Sequence, residues 1–471
     1  MVRHSRRDVL KLSGGLLGGI AVGATVTVAA STERFIVSEK KLKRGDLDGL
    51  SIVHEMDPVD FVVVEGTESA VQDLGVDYAP DMSMQLELPG ERQDVEPSMA
   101  DEPLYGLQWD KQVQDVSTCH ETTRGEGARV AIIDSGVAAG HPDLQHAVNT
   151  DLSQNFTGDG YGAGVPAGGY HGTHVAGIVA ANDQNEVGVA GTAPGSELVD
   201  CRVFSQGPGA SFADIFAAVV YAAEINCDVA NMSIGAYPVS RKGFGSFYGK
   251  VMNSIMSYAR RQGTLVVVSA GNDAADLQHD GRICVEDEET GEVECFPAIS
   301  VPNEASNVMS ISATGPVGFG RGGDGMEEPT TTPAIYTNYG TNAIDVSAPG
   351  GNYDPTIIPD DDEVLEPGED PLWYYDLVLN TVALPVFENM PEEEPPSGEY
   401  LGAQYTYSWV AGTSMAAPQV AGAAALVASL MDSQHANKVR NTLRRTAVDV
   451  GEKEYHGAGF LDPVAAVEDV K

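Results

Sequence analysis

The amino-acid sequence predicts an α/β fold in which helices cover both faces of a central, mostly parallel sheet. From Arg129 onward, short β-branched apolar runs alternate with longer Ala-rich runs, and 42% of the 471 residues are hydrophobic, enough for a large core. Predicted strands span 130–133, 198–203, 229–233 and 265–269, and predicted helices span 174–181, 211–224, 247–262 and 413–430. Polar residues at the carboxyl ends of such strands are the candidates for chemistry.

The chain is strongly acidic, with 69 Asp and Glu against 27 Lys and Arg and a net charge of −42. Nucleic acids and anionic membranes would repel it, so we expect neither as a partner. Acidic residues crowd the loops and are not confined to one tail. This composition resembles that of proteins from salt-loving organisms, in which salt screens the self-repulsion. An ordinary acidic secreted protein is the alternative.

Residues 1–30 have the pattern of an export signal. Paired arginines at positions 6 and 7 precede a Gly-rich apolar run of fewer than 20 residues that ends in small residues. The pair resembles a twin-arginine signal, although Val9 stands where Phe is more usual. A transmembrane anchor is the alternative, for which the run is short. We expect a secreted protein without stable membrane association.

The five cysteines are compatible with disulfides outside the cell. Cys284 and Cys295 bracket an acidic loop and are the best candidate pair. Cys201 and Cys227 form a weaker second pair, which leaves Cys119 over. Five unpaired, mostly buried cysteines are the alternative.

Asp134, His171 and Ser414 each lie at a loop edge beside glycine. Taken singly, each is explained by a turn, a helix start or a cap. Together they supply what acyl transfer by a serine nucleophile requires, namely a nucleophile, a base that takes its proton, and a carboxylate that orients the base.

Three segments around these residues resemble the signature blocks of the subtilisin-like serine proteases, the subtilases. They are Asp134-Ser135-Gly136, His171-Gly172-Thr173-His174 and residues 412–418 (GTSMAAP), in that family's Asp, His, Ser order. The acidity and the export signal make the chain most similar to the halolysins, the extracellular subtilases of haloarchaea. The resemblance implies a subtilisin-like three-layer α/β/α peptidase domain over residues 101–471.

The resemblance also implies further site residues. Asn272 matches the residue that donates its side-chain amide to the oxyanion, together with the Ser414 N–H. Substrate-binding positions match Ser233, Ile234, Gly235, Ala270 and Gly271. Their small side chains imply a roomy, largely apolar pocket without an acidic residue, and hence broad specificity.

A calcium site is implied by two loops that resemble the family's calcium loop and its carboxylate partner. The expected oxygen ligands come from Asp143, Asn185, the carbonyls of Val187 and Val189, and Asp101. A hydrated polar loop is the alternative. A zinc protease is unsupported, because the sequence contains neither HExxH nor paired CxxC motifs.

Residues 31–100 contain strand-like runs at 35–37 and 61–64 and a short helical pattern at 67–74. By position and element order they resemble the small α+β inhibitory propeptide of subtilases, which assists folding and is removed by self-cleavage. Residues 104–109 resemble the start of mature members, which puts the cut between Pro89 and Leu104. An acidic insertion at about 351–407 is expected to be a solvated surface loop; restricted substrate access and cation binding are the alternatives. We expect no extra C-terminal domain.

These features predict a secreted, monomeric serine endopeptidase of broad specificity that uses Ser414 as nucleophile, matures itself and works at high salt. Its expected partners are protein or peptide substrates and its own propeptide. A catalytically silent binding protein of the same fold is one alternative. An esterase is another, against which the missing Gly-x-Ser-x-Gly motif counts.

Overall fold

The computed structural model describes residues 30–42, 45–85, 93–95, 104–206, 209–240, 245–278, 283–286, 293–319, 328–355, 373–390, 396–432 and 435–471. The core of the predicted export signal, Asp101 and the acidic clusters at 360–363 and 392–394 lie outside these residues. Within the described part of the chain, no helix combines the length and the apolar character needed to cross a membrane.

A small α/β unit opens the described chain. It contains strands β1 (Ala30–Ser38), β2 (Ser51–Met56), β3 (Phe61–Glu65) and β4 (Tyr78–Gln85), and helix α1 (Glu68–Asp73). The antiparallel order is β2-β3-β1-β4, and β4 pairs further with β9 (Gly209–Ser211) of the larger unit. Successive side chains of a strand point to opposite faces. Phe35 and Val37 therefore pack on Val71 of α1, whereas Ile36 joins a core shared with the larger unit.

The larger unit is built on a seven-stranded sheet. Every pairing in it is parallel. Its strands are β6 (Arg129–Asp134), β7 (Gln154–Asn155), β8 (Glu197–Arg202), β10 (Val229–Met232), β12 (Leu265–Ser269), β16 (Val308–Thr314) and β17 (Val346–Pro349). Their order across the sheet is β17-β16-β12-β10-β6-β8-β7. The four predicted strands are β6, β8, β10 and β12.

Helices cover both faces of this sheet. In chain order they are α2 (Trp109–Val113), α3 (Val116–His120), α4 (His171–Ala180), α5 (Phe212–Glu224), α6 (Gly245–Gln262), α7 (Thr413–Ser429), α8 (Ala436–Thr446), α9 (Lys453–His456) and α10 (Pro463–Val470). Helices α4 and α7 share a core with Val130 and Ile132, whereas α5 and α6 share one with Ala131 and Ile133. The alternation along β6 thus separates two apolar layers, which confirms the predicted three-layer α/β/α fold.

Smaller elements complete the structure. Strands β11 (Ala236–Ser240) and β15 (Ala298–Val301) pair with each other, as do β13 (Ile283–Glu286) and β14 (Val293–Phe296). A three-stranded sheet has the order β18-β19-β5, from β18 (Val378–Asn389), β19 (Ser397–Val410) and β5 (Gln93–Val95). Short 3-10 helices span Asp57–Val59, Tyr105–Leu107 and Trp373–Asp376.

The prediction that residues 351–407 form a solvated loop is wrong for the segment that contains β18. This strand is buried from Val378 to Ala383 and packs on helix α4. The Thr381 hydroxyl donates to the carbonyl of Thr173 at 2.8 Å, and the His174 ring lies 3.1 Å from the Ser408 carbonyl. The acidic clusters at 360–363 and 392–394 favoured the loop prediction, although apolar residues between them make the β18–β19 hairpin part of the core.

The predicted Cys201–Cys227 disulfide is also wrong, because both residues are free thiols buried in the apolar layer below α5. Burial raises the pKa of Cys201 well above its ordinary value and that of Cys227 to about 12, so both behave as small apolar side chains. Cys119 is likewise free and buried. Cys295 is disulfide-bonded, and its register partner across the β13–β14 pair is Cys284, the predicted partner.

Candidate active site

Asp134 and His171 form a fully buried pair at the carboxyl end of the sheet. Asp134 is the last residue of β6 and His171 is the first residue of α4. His171 Nδ1 lies 2.8 Å from Asp134 Oδ1, which also accepts the Ser135 N–H at 2.7 Å. When Nδ1–H donates to this carboxylate, Nε2 carries the free lone pair and is the atom that can accept a proton.

Two atoms of this pair lack hydrogen-bond partners among the described residues, namely His171 Nε2 and Asp134 Oδ2. Buried polar atoms are normally paired, and unpaired ones call for a functional explanation. An imidazole nitrogen that is buried, unprotonated and unpartnered is suited to take a proton from a neighbouring group.

Ser414 is the second residue of helix α7 and only 5% exposed. Its hydroxyl donates to the carbonyl of Ser233 at 2.9 Å, and the Ser233 hydroxyl donates to the Ser414 carbonyl at 2.7 Å. Ser233 follows β10, the strand next to β6, so Ser414 lies at the same end of the sheet as the Asp134–His171 pair. In this conformation no hydrogen bond joins Ser414 to His171 within the described structure; rotation of the Ser414 side chain away from Ser233 is needed to form one.

Asn272 is held in one orientation by Thr413. Its Oδ1 accepts both the backbone N–H and the hydroxyl of Thr413 at 2.9 Å. Because the oxygen is engaged, the NH₂ end of the amide is the end left to donate to another group. Gly271 precedes it with φ at 103°, and a side chain there would collide with the amide of Asn338. Glycine is therefore required where the backbone turns to present Asn272.

A pocket beside Ser414 contains all five predicted substrate-binding residues. It is lined by Ser233, Ile234, Gly235, Ala236, Tyr237, Ser269, Ala270, Gly271, Asn272, Asp273, Ser300, Thr413 and Ser414. The expectation that this pocket has no acidic residue is wrong, because Asp273 lines it. Asp273 accepts the Asn338 side-chain N–H at 2.9 Å, and its own N–H donates back to Asn338 Oδ1. Its place directly after Asn272 in the sequence was the available signal.

Three of the predicted calcium ligands, Asp143, Asn185 and Val189, contact one another in the structure. Asp143 Oδ1 accepts the Asn185 side-chain amide at 2.7 Å, and its Oδ2 accepts the Val189 N–H at 3.1 Å. The Val187 N–H in turn donates to Asn185 Oδ1 at 3.3 Å. Each oxygen of this carboxylate accepts one of these hydrogen bonds, and a carboxylate oxygen has a second lone pair with which it can bind a cation. Calcium binding at this loop stays a prediction, and Asp101 lies outside the described residues.

A buried carboxyl group close to the Asp134–His171 pair was not predicted from the sequence. Asp200, on β8, accepts the Gly164 N–H at 2.8 Å, and burial raises its pKa to about 7. It holds the loop that leads into α4 and thereby supports the position of His171. An acidic residue inside an otherwise apolar strand was the signal in the sequence.

Comparisons with known proteins agree with this geometry. The chain is 28% identical over 373 residues to the halolysin of Haloferax mediterranei, an alignment covering 78% of this chain and 54% of that protein. The chain thus spans about half of the halolysin. It is 26% identical over 442 residues to an alkaline protease of Alkalihalobacillus alcalophilus, covering 93% and 86% of the two chains.

Among solved structures, the epidermin leader peptide processing serine protease of Staphylococcus aureus superposes with a TM-score of 0.67. The match covers 94% of this chain and 99% of that one, and at 20% identity it shows the fold alone. The model of the subtilase family of peptidases matches residues 125–459, more than two thirds of the chain, and includes Asp134, His171, Asn272 and Ser414. This chain belongs to the subtilase family.

Proposed function

We propose that the chain is a secreted, subtilisin-like serine endopeptidase that hydrolyses peptide bonds through an acyl-enzyme on Ser414. The observation that carries this proposal is the buried Asp134–His171 pair, whose Nε2 has no partner among the described residues. Ser414 lies at the same sheet end, at the N-terminus of α7, where the helix dipole favours negative charge. Family membership adds independent support.

Each group then has one role in the reaction. Ser414 Oγ turns from Ser233, gives its proton to His171 Nε2 and attacks the peptide carbonyl carbon. Asp134 stabilises the imidazolium, and the carbonyl oxygen accepts hydrogen bonds from the Asn272 amide and the Ser414 N–H. His171 passes the proton to the leaving amine, and water repeats the sequence to release the acid.

Specificity follows from the pocket beside Ser414. Small residues such as Gly235 and Ala270 leave room for large apolar side chains, which supports broad specificity. Asp273 adds negative charge at the same pocket, so we also expect Lys and Arg to be accepted. Because the Asp273 carboxylate already accepts a hydrogen bond from Asn338, we expect Lys and Arg side chains to be accepted in the pocket but not required.

Self-maturation is supported by the contact between the small unit and α5. Asp81 of β4 accepts the Ala213 N–H at 3.1 Å and the Ser211 hydroxyl at 2.6 Å, and so caps this helix. Arg34 pairs with both Asp81 and Asp214, and the His54 ring lies 2.7 Å from Asp214. An interface with this many buried polar contacts suits a propeptide, residues 31–100, that folds with the enzyme and inhibits it.

High-salt activity is supported by the net charge of −42, since salt must screen the repulsion among so many carboxylates. Export by the twin-arginine route rests on the N-terminal residues, and a monomer remains our expectation. Calcium binding by Asp143 and its neighbours stays a prediction from the family resemblance.

The test is casein hydrolysis at high salt by the wild type and by Ser414→Ala, with propeptide loss followed on a gel. Maturation and casein degradation by the wild type alone would support both the mechanism and self-processing. If a folded wild-type chain neither matures nor cuts casein, the binding-protein alternative replaces the enzyme. Hydrolysis of simple esters without peptide hydrolysis would instead favour an esterase.

A further inference from the structure

Strand β19 carries an extra strand on the edge that faces away from β18. Gln93, Asp94 and Val95 of β5 pair antiparallel with Trp409, Ser408 and Tyr407, in that order. The other edge of β19 is occupied by β18 along its whole length. A short segment between the small unit and the peptidase unit thus occupies the one edge that β18 leaves open.

The direction of this pairing relates it to the nucleophile. β19 runs toward the active site, because it ends at Val410, four residues before Ser414. An antiparallel partner runs away from Ser414, so its later residues lie farther from the nucleophile. A polypeptide bound on this edge therefore presents to Ser414 a bond that lies N-terminal to the bound residues.

The chain also pairs with a strand of the peptidase unit before it reaches β5. Ser83, Met84 and Gln85 of β4 pair antiparallel with β9 of the peptidase unit. The same stretch of chain therefore adds a strand to the peptidase unit at 83–85 and again at 93–95. Strand addition is a general way to bind extended peptides, because the backbone supplies hydrogen bonds whatever the side chains are.

The edge is also fixed relative to the catalytic imidazole. The Ser408 carbonyl lies 3.1 Å from His174 Nε2, and His174 lies one turn after His171 on α4. Tyr407 and Trp409 are buried on either side of Ser408. A strand edge that does not move when substrate binds holds the substrate in the geometry needed for attack.

We propose that the edge of β19 from Tyr407 to Trp409 binds the part of a polypeptide substrate C-terminal to the cut bond, and that Gln93–Val95 is its built-in competitor. The proposal rests on the proposed protease function. It places the self-processing cut between Gln85 and Gln93, whereas the sequence alone indicated the range from Pro89 to Leu104. Residues 93–95 then stay on the mature chain, tethered at Leu104, which is buried and donates its N–H to the Gly188 carbonyl at 3.1 Å.

The tether has a measurable consequence. After the cut, the new N-terminal tail competes with any substrate that extends past its own cut bond. A peptide p-nitroanilide has no residues beyond the cut bond, so its hydrolysis is insensitive to the tail. Long peptides and p-nitroanilides therefore separate this edge from the catalytic centre.

The test compares the full-length wild type with Gln93→Pro and Asp94→Pro. Alternate N–H groups of an edge strand face its neighbour, so one variant loses a ladder hydrogen bond and the other loses an N–H that faces away. We expect only the variant that loses the ladder hydrogen bond to lower KM for peptides with four residues past the cut bond, by about fivefold, which corresponds to the free energy of one hydrogen bond. The other variant serves as the matched control, and p-nitroanilide hydrolysis should be equal in the wild type and both variants.

Mass spectrometry over the first minutes of maturation gives the first N-terminus formed, which we expect to begin after residue 85 and no later than residue 93. A first cut C-terminal to Val95 would overturn the proposal, as would equal KM values for long peptides in the two proline variants. A wild type that hydrolyses neither substrate would instead refute the proposed function.

Discussion

Lys111→Met is expected to destabilise the fold strongly, because the Lys111 ammonium group joins the two helices that carry His171 and Ser414. Lys111 Nζ is fully buried. It donates to the carbonyl of Ile178 on α4 at 3.0 Å, and to Gln419 Oε1 on α7 at 2.6 Å. A third hydrogen bond, of 2.8 Å, goes to Thr192 Oγ1.

The size of the effect follows from the charge that the substitution leaves behind. Asp110 Oδ2 lies 3.5 Å from Nζ, and the Asp110 side chain is also fully buried. Removing one partner of a buried ion pair costs about 3–5 kcal/mol, since the other charge stays uncompensated. The Gln419 amide still donates to Asp110 at 2.7 Å, which favours the lower end of that range.

The pH dependence supplies a second, independent signature. Burial lowers the pKa of Lys111 from 10.5 to about 8. Between these values the unfolded chain binds more protons than the folded one, so this group makes stability rise with pH from about 8 to 10.5. The full rise is about 3 kcal/mol, and below pH 8 the contribution is constant. The Met variant should lack this rise.

The assay is urea unfolding at fixed high salt in a Ser414→Ala background, which prevents self-digestion. Lys250→Met is the matched control, because the Lys250 side chain is 68% exposed and lies 3.6 Å from Asp77. We expect its effect to stay within about 0.5 kcal/mol. Equal unfolding midpoints for the two variants, or an alkaline rise that persists in Lys111→Met, would refute the reasoning.

Four further predictions concern the site and its surroundings. Asn272→Leu should lower kcat by about 10²–10³-fold with little change in KM in steady-state kinetics, a magnitude known from a subtilisin, and a loss confined to KM would contradict the oxyanion role. Asp273→Asn should reduce kcat/KM for peptides with Lys before the cut bond relative to Leu, and an unchanged ratio would show that this charge is not felt in the pocket. Burial raises the pKa of Asp81 from 3.8 to about 6, so protonation of Asp81 stabilises the contact between the small unit and α5. The small unit should therefore be released faster at pH 8 than at pH 5 on a gel time course, and Asp81→Asn should remove this difference. If calcium binds at Asp143 and its neighbours, chelation by EGTA should lower Tm in a way that added calcium reverses and that Asp143→Asn removes, and an unchanged Tm would contradict the calcium prediction.

Local sequence patterns were sufficient to predict the elements that carry the candidate catalytic residues. Asp134 and His171 stand at the end of an apolar strand and the start of a helix, and both positions are set by neighbours in the sequence. The strands 130–133 and 265–269 were predicted for the same reason, since buried parallel strands are short β-branched runs. Nothing local marks β16 or β17 as members of that sheet, because strand order depends on connections that span the whole chain.

The hairpin of β18 and β19 shows where local reasoning failed. Its acidic flanks have the composition of a solvated loop. Burial of the Val378 and Leu379 side chains against α4 nevertheless has a lower free energy than their exposure to water. Asp273 was missed for the related reason that a pocket wall is defined by facing residues. Asn338, its hydrogen-bond partner, lies 65 residues away in the sequence.

The sequence by itself determined the family and the layered fold and pointed to Asp134, His171, Asn272 and Ser414 as the candidate site residues, because their chemistry depends on residue type beside short, locally specified turns. Only the tertiary structure decided that Thr413 orients the Asn272 amide, that Lys111 joins α4 to α7, and that Gln93–Val95 lies along β19. These contacts join residues that are distant in the sequence. They form only when burial of the two apolar layers has brought those residues together.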